Sequence, residues 1–202
     1  INLLSLLPLM VKMNFKMLEK WFYERSPQIV ARELLGKILY NTDSQRMGII
    51  IETEPYFGIE DPASRARRGG NLAEVMRGPV CTALVYGIHR QWLLNIVAHP
   101  PGEYGAVLVR SILPVERQGE EFNIFRPIFG PGRLTRYLSI DKSLHGCFLC
   151  REDSRLKILD YLAIEDKCVL RSRRVGVRED LPEPLNFKVN NECLEALAEQ
   201  IK

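Results

Sequence analysis

The sequence predicts a single α+β domain, and three observations carry that expectation. The chain has 202 residues, enough for one sizeable hydrophobic core. Strand-like and helix-like segments are interspersed without the regular βαβ alternation of a doubly wound sheet. No internal repeat, low-complexity tract or linker rich in Gly, Ser or Pro divides the chain.

The elements follow in order. Phe15, Leu18, Trp21 and Phe22 have the apolar spacing of a helix over 15–25. Ser26 is placed to cap a second helix, with Pro27 at its first position, apolar Ile29, Val30, Leu34 and Leu35, and Gly36 as its stop. Residues 37–40 and 47–54 read as strands joined by the turn Asn41-Thr42-Asp43-Ser44. Residues 57–79 form a polar loop rich in Gly and Arg, with a short turn near 72–76, and so long a loop in a compact domain is usually functional. Residues 81–85 and 92–98 form the arms of a hairpin around 86–91, and 106–113 is a buried strand. Helices are expected at 115–122 and 134–140, the latter opened by Gly130-Pro131-Gly132. Strands near 168–171 and 185–189 and a helix over 191–201 complete the chain.

Composition constrains less. A hydrophobic content of 46% and a charged content of 26% are ordinary for a soluble globular protein. The net charge of +3 is compatible with a nucleic-acid partner without indicating one, because binding needs clustered charge. Five cysteines, an odd number without framework spacing, suggest reduced intracellular thiols. Cys147 and Cys150 form a C-x-x-C, but Cys168 and Cys193 lack the paired spacing of a zinc ribbon, so incidental cysteines are preferred over a metal site. The apolar run at 1–12 is too short to span a bilayer and makes a poor signal peptide. It is read as a mis-called start or a short extension ahead of a domain at 13–202, and the protein as cytoplasmic.

Chemistry concentrates at residues 50–56. In a strand Glu52 and Glu54 share one face. Alone, this suits an edge strand with a solvated face as well as a cleft holding one paired carboxylate. The surroundings tip the balance. I-E-T-E-P-Y-F-G-I-E-D-P-A-S at 51–64, Y-G-I-H at 86–89 with L-N-I-V at 94–97, G-A-V-L-V-R-S-I-L-P-V-E at 105–116, G-P-G-R-L-T at 130–135, I-D-K-S at 140–143, R-V-G-V at 174–177 and S-P-x-x-V-A-R-E-L-L-G-K-x-L at 26–39 resemble, in one order, the segments of the alkyladenine (3-methyladenine) DNA glycosylase family.

That resemblance implies one compact domain with a curved, mostly antiparallel sheet, and a hairpin that pushes an aromatic side chain into the DNA minor groove. It implies base excision repair: an alkylated or deaminated purine is flipped from damaged double-stranded DNA and its bond to the sugar hydrolysed. Glu54 matches the general base that deprotonates a water. Arg110, at the end of an apolar strand, matches the arginine paired with it, and Val175 matches the position whose backbone carbonyl holds the water. Tyr56 matches an aromatic wall for the flipped base, and Asn95 an asparagine that crowds the exocyclic amine of guanine. Tyr86 matches the wedge, with Gly87 permitting a sharp turn and Ile88 and His89 packing on neighbouring base pairs. Arg67 and Arg68, with Arg65, Arg77 and Arg90, suit a phosphate-binding rim, and Arg171, Arg173, Arg174 and Arg178 form a second cluster; such clusters are usually solvated surface, and their proximity to the motif residues is what favours DNA. No lysine matches a nucleophile, which implies a monofunctional enzyme. No metal or other cofactor is expected, and a monomer is.

Two positions depart from the family pattern. Arg65 stands where a histidine backs the base, and Ala83 where a second aromatic is expected. A guanidinium at 65 could stack on the base, with Ala83 leaving room beside it, and would disfavour cationic lesions relative to neutral ones. The hairpin turn also reads as two residues longer than usual, through Arg90 and Gln91. These departures leave open a lesion-binding protein that captures flipped bases without cutting; the Glu54–Arg110 pair argues against it. A tRNA- or nucleotide-handling protein of the same fold is a third reading, which Tyr86 at a hairpin tip disfavours.

Overall fold

The computed structural model describes residues 15–118 and 121–200; the apolar run at 1–12 lies outside them. Ten strands form one sheet, and every pairing between them is antiparallel. The main path pairs β3 (Ala83–Ile88), β4 (Gln91–Val97), β5 (Ala106–Gln118), β2 (Arg46–Tyr56), β1 (Ile38–Asn41) and β8 (Leu156–Leu159). Short strands β6 (Glu121–Ile124) and β7 (Ile128–Phe129) pair with β5, and β10 (Asn186–Val189) joins β2 to β9 (Val169–Ser172). Helices α1 (Lys20–Tyr23), α2 (Pro27–Leu34), α3 (Gly70–Arg77), α4 (Pro131–Tyr137) and α5 (Asn191–Gln200) complete the α+β domain.

β2 is central, not an edge. Its first half pairs with β1 and its second half with β10, while β5 covers its other side. Alternation then separates two cores. Ile49, Ile51, Val107 and Val109 face the larger one with Leu34 of α2 and Phe187 of β10. Leu84, Val97 and Ala106 face a smaller one under α3 and the helical turn at 66–68, against which Tyr56 and Tyr86 pack. The β2–β5 register shifts on both sides of Glu52, leaving Ile51 and Arg110 without direct partners. Such bulges bend strands and re-aim side chains, here where the charged residues lie.

Several local expectations are corrected. The helix over 15–25 shrinks to α1, because Met17 and Leu18 bond to β8 and cross-strand pairing outweighs apolar spacing. The 57–79 loop carries a full helix, α3. Residues 115–118 extend β5 rather than opening a helix, since Val115 pairs with Met47 on one side and Ile124 on the other. The hairpin turn is not a long one: His89 (φ 49°) and Arg90 (φ 61°) form a two-residue turn of the kind that matches strand twist, and Gly87 lies within β3 opposite Trp92.

The cysteines are also corrected. Cys81 bonds Cys150 and Cys168 bonds Cys193, leaving Cys147 as the free thiol. Their Cα atoms approach to 6.0 and 5.7 Å across separations of 69 and 25 residues, a proximity that spacing along the chain does not reveal. Cys168–Cys193 fastens α5 to the start of β9. Cys193→Ser is expected to lower stability by about 2–4 kcal/mol through loop entropy, read from denaturant midpoints without reductant. A midpoint equal to wild type would show that this bond contributes nothing.

Candidate active site

The bulge brings Glu52, Glu54 and Arg110 to one place. Glu54 is fully buried, and four donors converge on its carboxylate. The Val175 amide donates to Oε1 at 2.7 Å and Asn186 Nδ2 at 2.9 Å; the Tyr56 hydroxyl donates to Oε2 at 2.9 Å and Arg110 Nη1 at 3.2 Å. These fill the four acceptor positions of a carboxylate. Glu52 lies behind it: Asn186 donates to its Oε1 at 2.9 Å, Arg110 Nε at 3.3 Å, and Ser111 to its Oε2. Arg110 and Asn186 thus each bridge both carboxylates, which is how two buried negative charges are accommodated side by side.

Tyr56, Arg110 and Val175 separate Glu54 from a cleft of about 730 Å³, whose walls also include Arg65, Tyr86 and Ile88. Val175 is 53% exposed, so the amide that touches Glu54 sits at the cleft surface. Tyr56 is held from two sides: its hydroxyl by Glu54 and its ring by Arg174, whose Cζ stands 4.5 Å over it. Burial, then the Glu54 charge, pushes the phenol well above its ordinary value, so it remains a donor. A second hollow of about 520 Å³ near α1 has its charges paired, Lys37 with Asp160 and Arg32 with Asp166. Among the described residues no group of three or more His, Cys, Asp or Glu side chains could hold a metal ion.

Sequence reasoning missed Arg174, grouping it with solvated arginines. Arg171, Arg173 and Arg178 are exposed, but Arg174 is 4% exposed and all its donors are used. It grips Asp61 with two bonds of 2.7 Å, donates from Nε to Asp180 at 2.8 Å and from Nη1 to the Pro55 carbonyl at 2.9 Å. Asp61 in turn accepts from the Phe57 and Ala63 amides, so this cluster fixes the loop after β2. Asn186 was missed too: it opens β10, and its amide reaches both Glu52 and Glu54 across the β10–β2 pairing.

The cleft's other expected residues are placed unevenly. His89 and Arg68 line it with Tyr86 and Ile88, and Arg67 is exposed outside it. Asn95 is buried beneath, its amide directed to the Leu84 carbonyl at 3.4 Å. The hairpin is braced from below by α4: the Thr135 hydroxyl donates to the Trp92 carbonyl at 2.8 Å, and a Cβ at Gly132 would fall 1.8 Å from Gln91 Oε1. Gly130, at φ 103°, turns the chain into that helix. The G-P-G-R-L-T segment therefore supports the hairpin.

Comparison with known proteins agrees. The profile of the methylpurine-DNA glycosylase family matches residues 21–193. This chain belongs to that family. A relative from Aeropyrum pernix is 48% identical over 178 residues, covering 86% of this chain and 90% of its own length. Relatives from Desulfitobacterium hafniense (37% over 185 residues, covering 80% and 88%) and Koribacter versatilis (32% over 187 residues, covering 85% and 89%) carry the same name, "Putative 3-methyladenine DNA glycosylase". In this member of the methylpurine-DNA glycosylase family the two departures do not adjoin. Arg65 stands over Tyr86, its Cζ 4.9 Å from the ring centre. Ala83 is fully buried in the larger core on the opposite face of β3, so it leaves no room beside Arg65; residues 83 and 86 differ by an odd number along a strand.

Proposed function

We propose that this chain is a monofunctional DNA glycosylase that flips alkylated or deaminated purines from duplex DNA and hydrolyses the N-glycosidic bond. The observation that carries this is Glu54, fully buried and anchored by Tyr56, Arg110, Val175 and Asn186 directly behind a cleft large enough for a base. A stacked base hides its glycosidic bond, so extrusion comes first, at a cost of a few kcal/mol. Tyr86 fills the gap in the stack from the hairpin, whose tip residues His89 and Arg90 are exposed. The flipped base enters the cleft beside Tyr56.

Water then attacks the anomeric carbon. The carbon–nitrogen bond breaks, its electron pair leaves with the base, and the water proton passes to Glu54. Because all four acceptor positions of Glu54 are engaged, one donor gives way to the water. The Arg110 contact is the longest of the four and Arg110 lines the cleft, so the water enters there. The partner is damaged double-stranded DNA, and the enzyme acts as a monomer.

Duplexes carrying single hypoxanthine, ethenoadenine or methylated purine lesions, incubated with the protein and then treated with alkali, test this. Strand breaks at the lesion are expected; intact strands with tight binding would favour a lesion-binding protein instead. Tyr86→Ala is expected to weaken binding to lesion duplexes more than to undamaged DNA, by about tenfold, since only the flipped complex has a gap to fill. Equal losses on both would remove Tyr86 from the wedge role.

A further inference from the structure

Two arginines stand over tyrosines near the cleft, with opposite electrostatic consequences. Arg174, over Tyr56, is cancelled by Asp61 and Asp180. Arg65, over Tyr86, lines the cleft half-buried, and among the described residues no carboxylate lies within ion-pair distance and no acceptor engages its guanidinium. Its position is set by the ring, while its five N–H donors and its charge remain unused. Arg110, the deeper arginine of the same cleft, is already paired with Glu52 and Glu54. Arg68, Arg178 and Glu179 also line the cleft but are exposed, where solvent screens them; Arg65 is the half-buried, uncompensated positive charge beside the space a base would occupy.

We propose that Arg65 is a charge filter that makes the cleft favour neutral purine lesions over N-alkylated, cationic ones. The inference rests on the glycosylase reading and names the substrate class within it. A purine alkylated at N3 or N7 carries a positive charge, which Arg65 repels across a partly desolvated cleft. A deaminated purine is neutral and presents carbonyl and ring-nitrogen acceptors, the edge that a guanidinium recognises with paired donors. Repulsion and hydrogen bonding act in the same direction.

Single-turnover excision from matched duplexes carrying hypoxanthine or 7-methylguanine decides it, comparing wild type with Arg65→Gln and Arg65→Lys. The Gln variant is expected to raise the 7-methylguanine-to-hypoxanthine rate ratio about tenfold, and the Lys variant, which keeps the charge, to hold it within about threefold, as a like charge in a partly screened site implies. Equal shifts in both variants would overturn a charge-based filter. An unchanged ratio, with uniformly weaker binding and a shallower salt dependence, would overturn it in favour of a phosphate contact. Wild-type protein that excises neither base would overturn the glycosylase reading. The relative affinities of the same two duplexes for wild type and Arg65→Gln would then decide the filter alone: a shift toward the cationic lesion supports it, and parallel affinities overturn it.

Discussion

Glu54→Gln is expected to retain binding to lesion duplexes and lose base excision by about a hundredfold to ten-thousandfold, the range of a general base. The substitution preserves shape but removes the charge and turns one oxygen into a donor. That NH₂ would confront either the Val175 amide and Asn186 Nδ2 or the Tyr56 hydroxyl and Arg110 Nη1. The tyrosine hydroxyl can rotate to accept, whereas Arg110 has no acceptor to offer. The amide nitrogen therefore settles on the Arg110 side, with a stability loss of about 1–3 kcal/mol from the donor left unpaired. Excision under single-turnover conditions, with lesion binding and thermal unfolding on the same preparation, separates the two effects. Near-wild-type excision would remove Glu54 from the general-base role.

The parts of this site that were legible in the sequence are those that strand periodicity can place. Glu54 and Tyr56 are two residues apart in one strand and lie on one face. Arg110 ends an apolar run, where a charge needs a partner. The residues that immobilise them come from distant points in the chain. Asn186 is 132 residues from Glu54, and Arg174 is 113 from Asp61, so no local pattern announces either contact. Arg174 is the sharper case: it opens the R-V-G-V segment, but its neighbours are solvated, and the packing of the 57–65 loop is what reveals its partners. The disulfides were illegible for the same reason.

The hairpin shows a different limit. Its existence was readable from two apolar runs, but its register was not. The sequence reads as a six-residue turn over 86–91, whereas the chain turns at His89 and Arg90, both at positive φ, which is uncommon for such a pair. Shifting the tip to 89–90 places Tyr86 within the strand, on the cleft face with Leu93, and sends Ala83 to the opposite core. A register is an alternation of faces, and one misplaced turn residue reassigns a whole pocket wall.

The Arg174–Asp61 pair joins the loop to the site, and its removal should show how much of the catalytic geometry depends on it. Arg174→Met fills similar volume but leaves Asp61, fully buried, without its countercharge. Breaking a buried pair from one side costs about 3–5 kcal/mol, most of it from the charge left behind. Arg174→Met with Asp61→Asn should recover part of that loss, because the fully buried Asp61 charge is gone and the charge left unpaired is that of Asp180, which still accepts from the backbone amides of residues 174 and 181. The pH dependence gives an independent check. Burial alone would raise the Asp61 carboxyl, but the hydrogen bonds from Arg174 and the Phe57 amide outweigh it and hold the group below its ordinary value of 3.8. A folded value below the unfolded one means that the stabilisation is fully present above the ordinary carboxylate range and is lost as pH falls through the folded value. The stability gap between wild type and Arg174→Met, from denaturant midpoints, is therefore expected to be widest near neutrality and to narrow in acid as Asp61 takes up a proton. Loss of the cluster also frees Tyr56, whose ring Arg174 covers and whose hydroxyl anchors Glu54, so excision should fall in the single variant even where it remains folded. A gap of equal size at every pH would show that the Asp61 charge is not what Arg174 compensates, and full excision by the folded variant would show that Tyr56 holds Glu54 without help from the loop.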